Sequence, residues 1–284
     1  MICPLNMPNL MINEKKQAGQ VSFIVTTSAR ADAHLREEAR SWAALFGVPY
    51  VRRGKGMTLP ALLEQSGVQA LLLATETGPR VHTAEGTLFY HPGLGKVRWQ
   101  RVVQRGETDN FLEAMALQPG QRVLDCTVGL AADALLASHA VGPGGEVTGL
   151  EASPLLWFLT SRGVQTYVGK IAALTEDLRR ITIRRAVAAD YLRALPPDRY
   201  DVVYFDPMFR HPVRRSSAMQ PLRPLAYREP LAKDVVQEAL RVAPRVVIKE
   251  RTEAILREFG CRQFTGSRYS GVRFGILTRE EESR

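Results

Sequence analysis

The stretch Arg122-Val123-Leu124-Asp125-Cys126-Thr127-Val128-Gly129-Leu130-Ala131-Ala132-Asp133 decides the fold that the sequence predicts. Its first four residues are typical of a short buried strand, the small residues after them of a loop, and residues 134–140 of a helix. This arrangement presents the amino-terminal end of a helix to a ligand. The loop has one glycine, Gly129, where a dinucleotide site has three, and it begins at Asp125. Such a loop suits a cationic amino-acid ligand better than a pyrophosphate.

A second acidic residue, Glu151, follows the next predicted strand at residues 145–150. A carboxylate at the end of that strand can accept hydrogen bonds from both ribose hydroxyls of a nucleoside. Asp125, Gly129 and Glu151 in this order therefore indicate a pocket for S-adenosylmethionine. Taken alone, Glu151 is equally typical of a solvated acid at the start of a helix.

The motif Asp206-Pro207-Met208-Phe209 follows an apolar run at residues 200–205. At the end of a buried strand, a carboxylate can accept hydrogen bonds from an exocyclic amine, and an aromatic ring can stack on an extruded base. The motif resembles the Asp/Asn-Pro-Pro-Tyr/Phe signature of amino-methyltransferases. The alternative is a plain turn after a strand, because Asp-Pro is common in turns.

The composition favours a chain that works with a polyanion. Lys and Arg number 38 against 29 Asp and Glu, which gives a formal charge of +9 and a pI near 9.7. Such an excess points to nucleic acid first and to an anionic membrane second. The three cysteines form no Cys-x-x-Cys pair and the histidines show no metal-ligand spacing, so we expect a reducing cytoplasm and no metal. No signal peptide or membrane span is predicted.

The chain divides into four predicted segments. Residues 1–20 are a loose leader, residues 21–90 a small N-terminal α/β domain, residues 91–106 a basic linker, and residues 107–284 the main domain. In the small domain, strands are predicted at 21–26, 48–52 and 68–74, helices at 30–46 and 59–66, and a hairpin at 80–83 and 87–90.

The main domain alternates strands with helices, which is typical of an α/β fold with a mostly parallel sheet covered on both faces. Strands are predicted at 123–125, 147–150, 181–186, 202–205 and 246–249, and helices at 107–117, 134–139, 154–167 and 230–241, with Thr108 as a candidate cap of the first helix. Residues 261–265 and 272–277 are predicted to close the sheet as an antiparallel pair.

The basic linker carries His91, Lys96, Arg98, Arg101 and Arg105, with Trp99 among them. Basic side chains interleaved with an aromatic are typical of a nucleic-acid contact. A solvated linker between two domains is nearly as good an interpretation.

Together the motifs resemble the RsmJ-type 16S ribosomal RNA guanine-N2 methyltransferases, a family of class I S-adenosylmethionine-dependent enzymes. Residues 87–91, 124–130, 150–154, 203–209, 246–249 and 273–274 carry the resemblance. It implies a Rossmann-like class I fold, S-adenosyl-L-methionine as cofactor, and ribosomal RNA or the small ribosomal subunit as partner. The implied reaction is methyl transfer to an exocyclic base amine, guanine N2 of small-subunit ribosomal RNA.

The implied site residues fall into three groups. The catalytic candidates are Asp206, Pro207 and Phe209; the cofactor-binding candidates are Asp125, Thr127, Gly129, Asp133, Glu151, Ala152, Ala189, Asp190 and Asp206; the RNA-binding candidates are Arg98, Arg101, Arg105, Arg210, His211, Arg214 and Arg215. The chain also departs from the family pattern. Ala131 and Ala132 replace a glycine and an arginine, Ala189-Asp190 replaces a serine pair, and Arg210 replaces a proline.

Three other functions compete with this interpretation. The first is a methyltransferase that acts on a protein or a small molecule. The second is a non-catalytic RNA-binding or ribosome-assembly factor on the same fold, which the intact acids at 125, 151 and 206 disfavour. The third, an NAD-dependent dehydrogenase, has the weakest support because the loop lacks the glycines that bind a diphosphate.

Replacing Arg214 and Arg215 together is expected to weaken the salt dependence of RNA binding. Each arginine that contacts a phosphate contributes ~0.7–0.9 to the slope of log affinity against log salt concentration. The double alanine variant should therefore lower the magnitude of that slope by roughly one to two, while transfer on saturating RNA changes little. Filter binding over a salt series measures the slope. An unaltered slope would make the two arginines ordinary solvated residues.

Overall fold

The computed structural model describes residues 21–207, 224–227, 229–266 and 271–279. The strands are β1 Phe23–Thr27, β2 Ala70–Thr75, β3 Gly78–Thr83, β4 Gly86–Phe89, β5 Arg122–Asp125, β6 Glu146–Glu151, β7 Ile181–Arg185, β8 Val202–Phe205, β9 Arg245–Glu250, β10 Gln263–Thr265 and β11 Arg273–Thr278. The helices are α1 Ala33–Phe46, α2 Leu59–Ser66, α3 Gly93–Arg105, α4 Asn110–Met115, α5 Ala132–Val141, α6 Pro154–Thr166, α7 Ala172–Arg179, α8 Ala188–Arg193, α9 Lys233–Val242 and α10 Glu253–Glu258.

Several sequence-predicted residues lie outside these described ranges. They are the leader at residues 1–20 and the candidates Met208, Phe209, Arg210, His211, Arg214 and Arg215. The roles given to them therefore stay predictions from the sequence.

The main sheet has seven strands in the order β10-β11-β9-β8-β5-β6-β7. Strands β5 to β9 pair in parallel, and β11 runs antiparallel to both β9 and β10. This confirms the predicted doubly wound sheet and its antiparallel closing pair. The order reverses at β5, since the chain proceeds to β6 and β7 on one side and to β8 and β9 on the other. Ligands of such sheets bind at the carboxyl ends of the strands beside this reversal.

Two apolar cores cover the two faces of the main sheet. One face packs against α3, α4, α5 and α7 around Trp99, Phe111 and Leu135. The opposite face packs against α8, α9 and α10 around Phe205, Val236 and Leu256. Because successive side chains of a strand point to opposite faces, Tyr204 enters the first core and Phe205 the second.

The N-terminal unit is a four-stranded sheet in the order β1-β2-β3-β4, joined by α1 and α2. It shares an apolar core with α6 of the main domain, where the rings of Trp42 and Phe158 meet edge to face at 4.9 Å. Leu225, which follows the segment outside the described ranges, is buried in the same core. The small unit is thus held against the main domain through α6.

The predicted strand at residues 48–52 is wrong. The segment forms a single bridge between Tyr50 and Val25. The Val25 N–H donates to the Pro49 carbonyl at 2.9 Å, and the Val25 carbonyl accepts from the Val51 N–H at 2.8 Å. Pro49 itself has no N–H with which to extend the ladder.

Most of the segment at residues 91–106, predicted to be a basic linker, forms helix α3, which packs against the main domain. Helix α3 ends at Gly106, whose φ of 67° is left-handed, and its Trp99 is 1% exposed. The Trp99 indole N–H donates to Asp177 of α7 at 2.6 Å. The basic residues of α3 therefore belong to an amphipathic helix, which the sequence analysis did not predict.

Smaller differences concern helix ends and short helices. Helix α4 is capped by Asp109, whose carboxylate accepts the Phe111 N–H at 3.0 Å, and not by the predicted Thr108. The helices α7, α8 and α10 were not predicted, since six to eight residues give too few turns for a clear periodicity.

Gly95 provides a test of how closely α3 must approach α5. A Cβ at this position would lie 2.9 Å from the Cα of Ala132, which is backbone at the first turn of α5. Glycine to alanine inside a helix ordinarily stabilises by ~1 kcal/mol. We expect Gly95→Ala to destabilise instead, by about 1–3 kcal/mol, because the overpacked helix must shift. Urea unfolding measures the change. Gly54→Ala, where the added Cβ meets no atom within 4 Å, is the control, and a stabilised Gly95→Ala protein would contradict the close packing.

Candidate active site

Strand register alone brings the main candidates to one face of one sheet edge. Asp125 pairs with Tyr204 between β5 and β8, and Tyr204 pairs with Val247 between β8 and β9. Paired residues of parallel strands point to the same face, and so do residues two apart on a strand. Asp206 and Lys249 therefore lie on the face of Asp125, just beyond the end of the paired region.

Asp133, on the first turn of α5, is the centre of a buried charge network on this face. Its Oδ1 accepts a hydrogen bond from the Arg98 guanidinium, and its Oδ2 accepts from the Tyr204 hydroxyl at 2.9 Å and from Lys249 Nζ at 3.3 Å. Burial tends to raise the pKa of Asp133, but Lys249 and Arg98 outweigh burial and lower it. Asp133 was predicted to bind the cofactor. The structure gives both of its oxygens to side chains of the protein.

Arg98 was predicted to contact RNA, and the structure places it inside the protein. Its side chain is 21% exposed, and its Nε and Nη2 donate to the two carboxylate oxygens of Asp109 at 2.9 and 2.8 Å. Burial lowers the pKa of a guanidinium, but Asp109 and Asp133 together raise that of Arg98. Arg98 thus ties α3 to the amino-terminal ends of α4 and α5.

Asp206 lies directly after β8 and is bound at two points. Its N–H donates to the Thr127 hydroxyl at 2.6 Å, and its Oδ2 accepts from Lys249 Nζ at 2.8 Å. Burial raises the pKa of Asp206 to about 6; Lys249 acts against that rise and the negative Asp133 adds to it. Pro207 follows at the mouth of the crevice, half-buried.

Asp125 is 3% exposed at the end of β5 and accepts the Thr127 N–H at 3.0 Å. Burial raises its pKa to about 8, and the neighbouring Asp133 and Asp206 add to the rise, while the Thr127 N–H and Lys249 oppose it. A buried acid beside two other acids is a position that a cationic group would stabilise.

The loop between β5 and α5 turns through two left-handed residues, Gly129 at φ 52° and Ala131 at φ 61°. Alanine holds the turn where the resembled family has glycine, at a cost of roughly 1–2 kcal/mol. The Gly129 carbonyl accepts the Thr160 hydroxyl of α6 at 2.6 Å. Gly149 on β6 lets the loop fold closely over the sheet, because a Cβ there would lie 2.6 Å from Val128.

Glu151 ends β6 and is 8% exposed. Burial raises the pKa of Glu151 to about 7, although hydrogen bonds from the N–H groups of Ser153, Gly129 and Ala152 act to lower it. The Ser153 N–H donates to Glu151 at 2.8 Å. No cation pairs with it among the described residues. Neutral hydroxyl groups of a ligand could donate hydrogen bonds to the remaining lone pairs of this carboxylate.

Ala189 and Asp190 lie on α8, after the end of β7. Asp190 has a side chain that is 61% exposed and lies 3.6 Å from Arg193. Its carboxylate is therefore accessible near the end of β7, and the contact with the adenine amine stays a prediction.

The observed residues fit S-adenosylmethionine. The buried Asp125 offers a partner for an ammonium group, and the buried Glu151 offers acceptors for two ribose hydroxyls. Both carboxylates are held by backbone N–H groups at the carboxyl ends of adjacent parallel strands. The left-handed loop at Gly129 lies between them in sequence.

Two of the RNA-binding candidates are exposed on α3. Arg101 and Arg105 have side chains 58% and 69% exposed, and each lies near Glu107, at 4.0 and 3.7 Å. Such exposed pairs contribute little to stability, so both guanidinium groups can exchange Glu107 for a phosphate.

Other classes of site were sought in the described ranges. No helix there combines the length and the apolar character that crossing a bilayer requires. The same residues contain no cluster of three or more His, Cys, Asp or Glu arranged to hold a metal ion.

Sequence reasoning missed Lys249, Tyr204 and Asp109 as parts of the site. In the sequence, Lys249 was recognised as the last residue of the predicted strand at 246–249. A signal was present, because Lys249 follows the apolar run 246–248 much as Asp206 follows 202–205. Charged residues at the ends of two neighbouring strands can form an ion pair. Predicting this pair would have required knowing that β8 and β9 are neighbours in the sheet.

Comparisons with known proteins agree with the geometry. A family model described as "Putative SAM-dependent methyltransferase" matches residues 76–262. Uncharacterized protein YpiP of Bacillus subtilis (strain 168) is 36% identical over 226 residues, covering 79% of this chain and 87% of that protein. Ribosomal RNA small subunit methyltransferase J of Thioalkalivibrio sulfidiphilus (strain HL-EbGR7) is 31% identical over 231 residues, covering 78% and 85%.

Among solved structures, a SAM-dependent methyltransferase from Neisseria gonorrhoeae matches with a TM-score of 0.58 and 19% identity, covering 90% of this chain and 96% of that chain. The likeness confirms the Rossmann-like class I fold. The family match confirms the predicted cofactor, S-adenosyl-L-methionine.

Glu151→Gln is expected to change cofactor binding and stability in opposite directions. The folded-state pKa of about 7 lies above the ordinary value of 4.5, so the stability of the free protein falls as pH rises between these values. The neutral amide removes this loss. At pH 8 the variant should gain up to about 3 kcal/mol in unfolding free energy, yet bind S-adenosylmethionine ~1–3 kcal/mol more weakly.

Calorimetry and denaturant unfolding measure the two changes. Glu146→Gln is the matched control, because Glu146 begins the same strand and pairs with Arg199 at 2.8 Å, far from the ligand edge. It should leave cofactor affinity unchanged. Unchanged affinity in Glu151→Gln would remove Glu151 from the cofactor site.

Proposed function

The chain belongs to the family of SAM-dependent methyltransferases, and we propose that it transfers the methyl group to an exocyclic amine of a ribosomal RNA base. The finer proposal is guanine N2 of small-subunit ribosomal RNA. The observation that carries the proposal is the position of Asp206-Pro207, at the carboxyl end of β8 beside the end of β5.

The acceptor amine is a poor nucleophile because its lone pair is delocalised into the base. Asp206 can hold an amine hydrogen through Oδ1, since the described residues give that oxygen no donor while Lys249 occupies Oδ2. Holding the hydrogens turns the lone pair toward the position from which S-adenosylmethionine, when bound, supplies an electrophilic methyl group. Most of the rate acceleration would come from this positioning.

The acids proposed for the cofactor and the acid proposed for the acceptor lie on opposite sides of the strand reversal. Asp125 and Glu151 end β5 and β6, whereas Asp206 follows β8. The cofactor and the acceptor would therefore meet in the crevice at the carboxyl end of β5. Phe209, predicted to stack on the extruded base, follows Asp206 by three positions in the sequence.

A polyanionic acceptor is supported by charge. The formal charge is +9, and Arg101 and Arg105 are exposed on α3. The relatives named ribosomal RNA small subunit methyltransferase J, with 31% identity over 78% of this chain, support the ribosomal substrate. Guanine N2 is the part of the proposal that rests on the family resemblance.

The substrate is tested by mass spectrometry of nucleosides from small-subunit ribosomal RNA, prepared from cells with and without the protein. Loss of a single N2-methylguanosine, and its return on incubation with the purified protein and S-adenosylmethionine, is the expected result. Loss of a different methylated base would retain the reaction class and reject guanine N2. Unchanged RNA would favour a protein or small-molecule acceptor.

Asp206→Ala is expected to abolish methyl transfer while leaving cofactor affinity within a few-fold. The reason is that Asp206 addresses the acceptor amine, whereas Asp125 and Glu151 address the cofactor. Transfer assays and calorimetry measure the two quantities. Asp201→Ala, at the opposite end of the same strand and paired with Arg122 at 2.9 Å, is the control and should retain transfer. An equal loss of cofactor binding in Asp206→Ala would instead make Asp206 a cofactor or folding residue.

A further inference from the structure

Lys249 is a lysine placed among carboxylates at the reacting edge of the sheet, and the proposed reaction has so far given it no task. Its side chain is 19% exposed at the end of β9. Its Nζ lies 2.8 Å from Asp206 Oδ2 and 3.3 Å from Asp133 Oδ2. Burying a lysine is costly unless its charge is paired, so the position needs an explanation.

We propose that Lys249 is a positioning residue for methyl transfer, which holds Asp206 in one rotamer and in its ionised form so that Oδ1 faces the acceptor amine. Asp133 and Arg98 support Lys249 in this task. The inference rests on the proposed function, in which Asp206 holds the acceptor amine.

The first argument is geometric. A carboxylate can turn about its terminal torsion, which is broad and has two equivalent arrangements. The ammonium group at Oδ2 and the bond from Asp206 N–H to the Thr127 hydroxyl fix both ends of the residue. Among the described residues no donor reaches Oδ1, so this oxygen is left for the substrate.

The second argument is electrostatic. The charged and titratable groups that face Asp206 come from every element packed around it: Lys249 of β9, Asp133 of α5, Asp125 of β5, Arg98 of α3 and Tyr204 of β8. Among the described residues, Lys249 is the cation in direct contact with Asp206. Without it, Asp206 would be a partly buried acid near two other acids, and like charges in one site favour the protonated form. A protonated Asp206 would place a proton where the amine hydrogen must bind.

The third argument explains why Lys249 serves Asp206 more than Asp133. Asp133 also receives the Arg98 guanidinium and the Tyr204 hydroxyl, so most of its charge is met without Lys249. The lysine is correspondingly nearer to Asp206, at 2.8 Å against 3.3 Å. Arg98, held by Asp109 at 2.8 Å, thereby frees the ammonium group for the acceptor side.

The test is the pH profile of single-turnover methyl transfer to small-subunit ribosomal RNA, with both substrates saturating. In the unaltered protein the acidic limb should lie near the Asp206 pKa of about 6. Loss of an adjacent cation moves a carboxylate pKa upward by about 1–3, so the limb of Lys249→Met should move to higher pH. At pH 7 this lowers the rate about tenfold, and much of the loss should be recovered near pH 9.

A second variant separates positioning from simple support of the fold. Asp133→Asn removes a negative charge next to Asp206, so its acidic limb should move to lower pH, opposite to that of Lys249→Met. Lys249→Arg keeps the cation and should stay close to the unaltered midpoint. Lys170→Met, an exposed lysine outside the network, is the control. Calorimetry with S-adenosylmethionine shows that each variant is folded.

The outcomes are distinct. Opposite shifts of the two limbs support the inference. Variants that bind the cofactor but lose rate equally at all pH values would overturn it and make Lys249 a structural residue. An unaltered protein that methylates no ribosomal RNA would overturn the proposed function itself.

Discussion

The structure depends on how one sheet edge accommodates buried carboxylates. Asp125, Asp133 and Asp206 lie on one face at the ends of β5 and β8 and the start of α5. Among the described residues, Lys249 pairs with Asp133 and Asp206, and Arg98 pairs with Asp133. Burying an unpaired charge is costly, so these ion pairs are needed to keep the acids at the sheet edge. The pairing is uneven, since Asp133 is well satisfied and its pKa falls, whereas Asp125 and Asp206 have raised pKa values. Asp125 and Asp206, the acids with raised pKa values, face the crevice. Asp133, whose hydrogen bonds are made within the protein, supports them from behind.

Helix α3 connects this network to the rest of the molecule. Arg98 enters the network, and Trp99, one residue later, enters the core and reaches Asp177 of α7. Since neighbouring helix residues differ by about 100° in direction, one short segment braces two elements. Its remaining exposed face carries Arg101 and Arg105. A segment with basic residues along its whole length thus divides its cations between the interior and the surface, and only the second set is exposed.

Much of the sheet could be predicted from the sequence, because buried parallel strands are apolar runs. The acids at the ends of three such runs, Asp125, Glu151 and Asp206, were identified as site candidates in the same way, and the structure places them at strand ends. The role of Arg98 could not be found, because its partners Asp109 and Asp133 lie 11 and 35 residues away and α3 had first to be folded against α5. Helix α3 was missed for the same reason: charged residues dominate its sequence, whereas the burial of Trp99 decides how it packs.

The acids of the cofactor site carry a cost that the fold does not remove by itself. Glu151, with a pKa of about 7, and Asp125, with a pKa of about 8, are more stable protonated, so near neutral pH part of the folding free energy is lost in keeping acids buried there. A ligand that brings an ammonium group to Asp125 and hydroxyls to Glu151 favours the ionised forms and returns that free energy as affinity. Stability and function are therefore opposed at the ends of β5 and β6. At the end of β8 the protein supplies its own cation, Lys249. Asp206 accordingly has a lower pKa than Glu151 and Asp125. It can therefore be ionised when it meets a neutral amine, which brings no charge of its own.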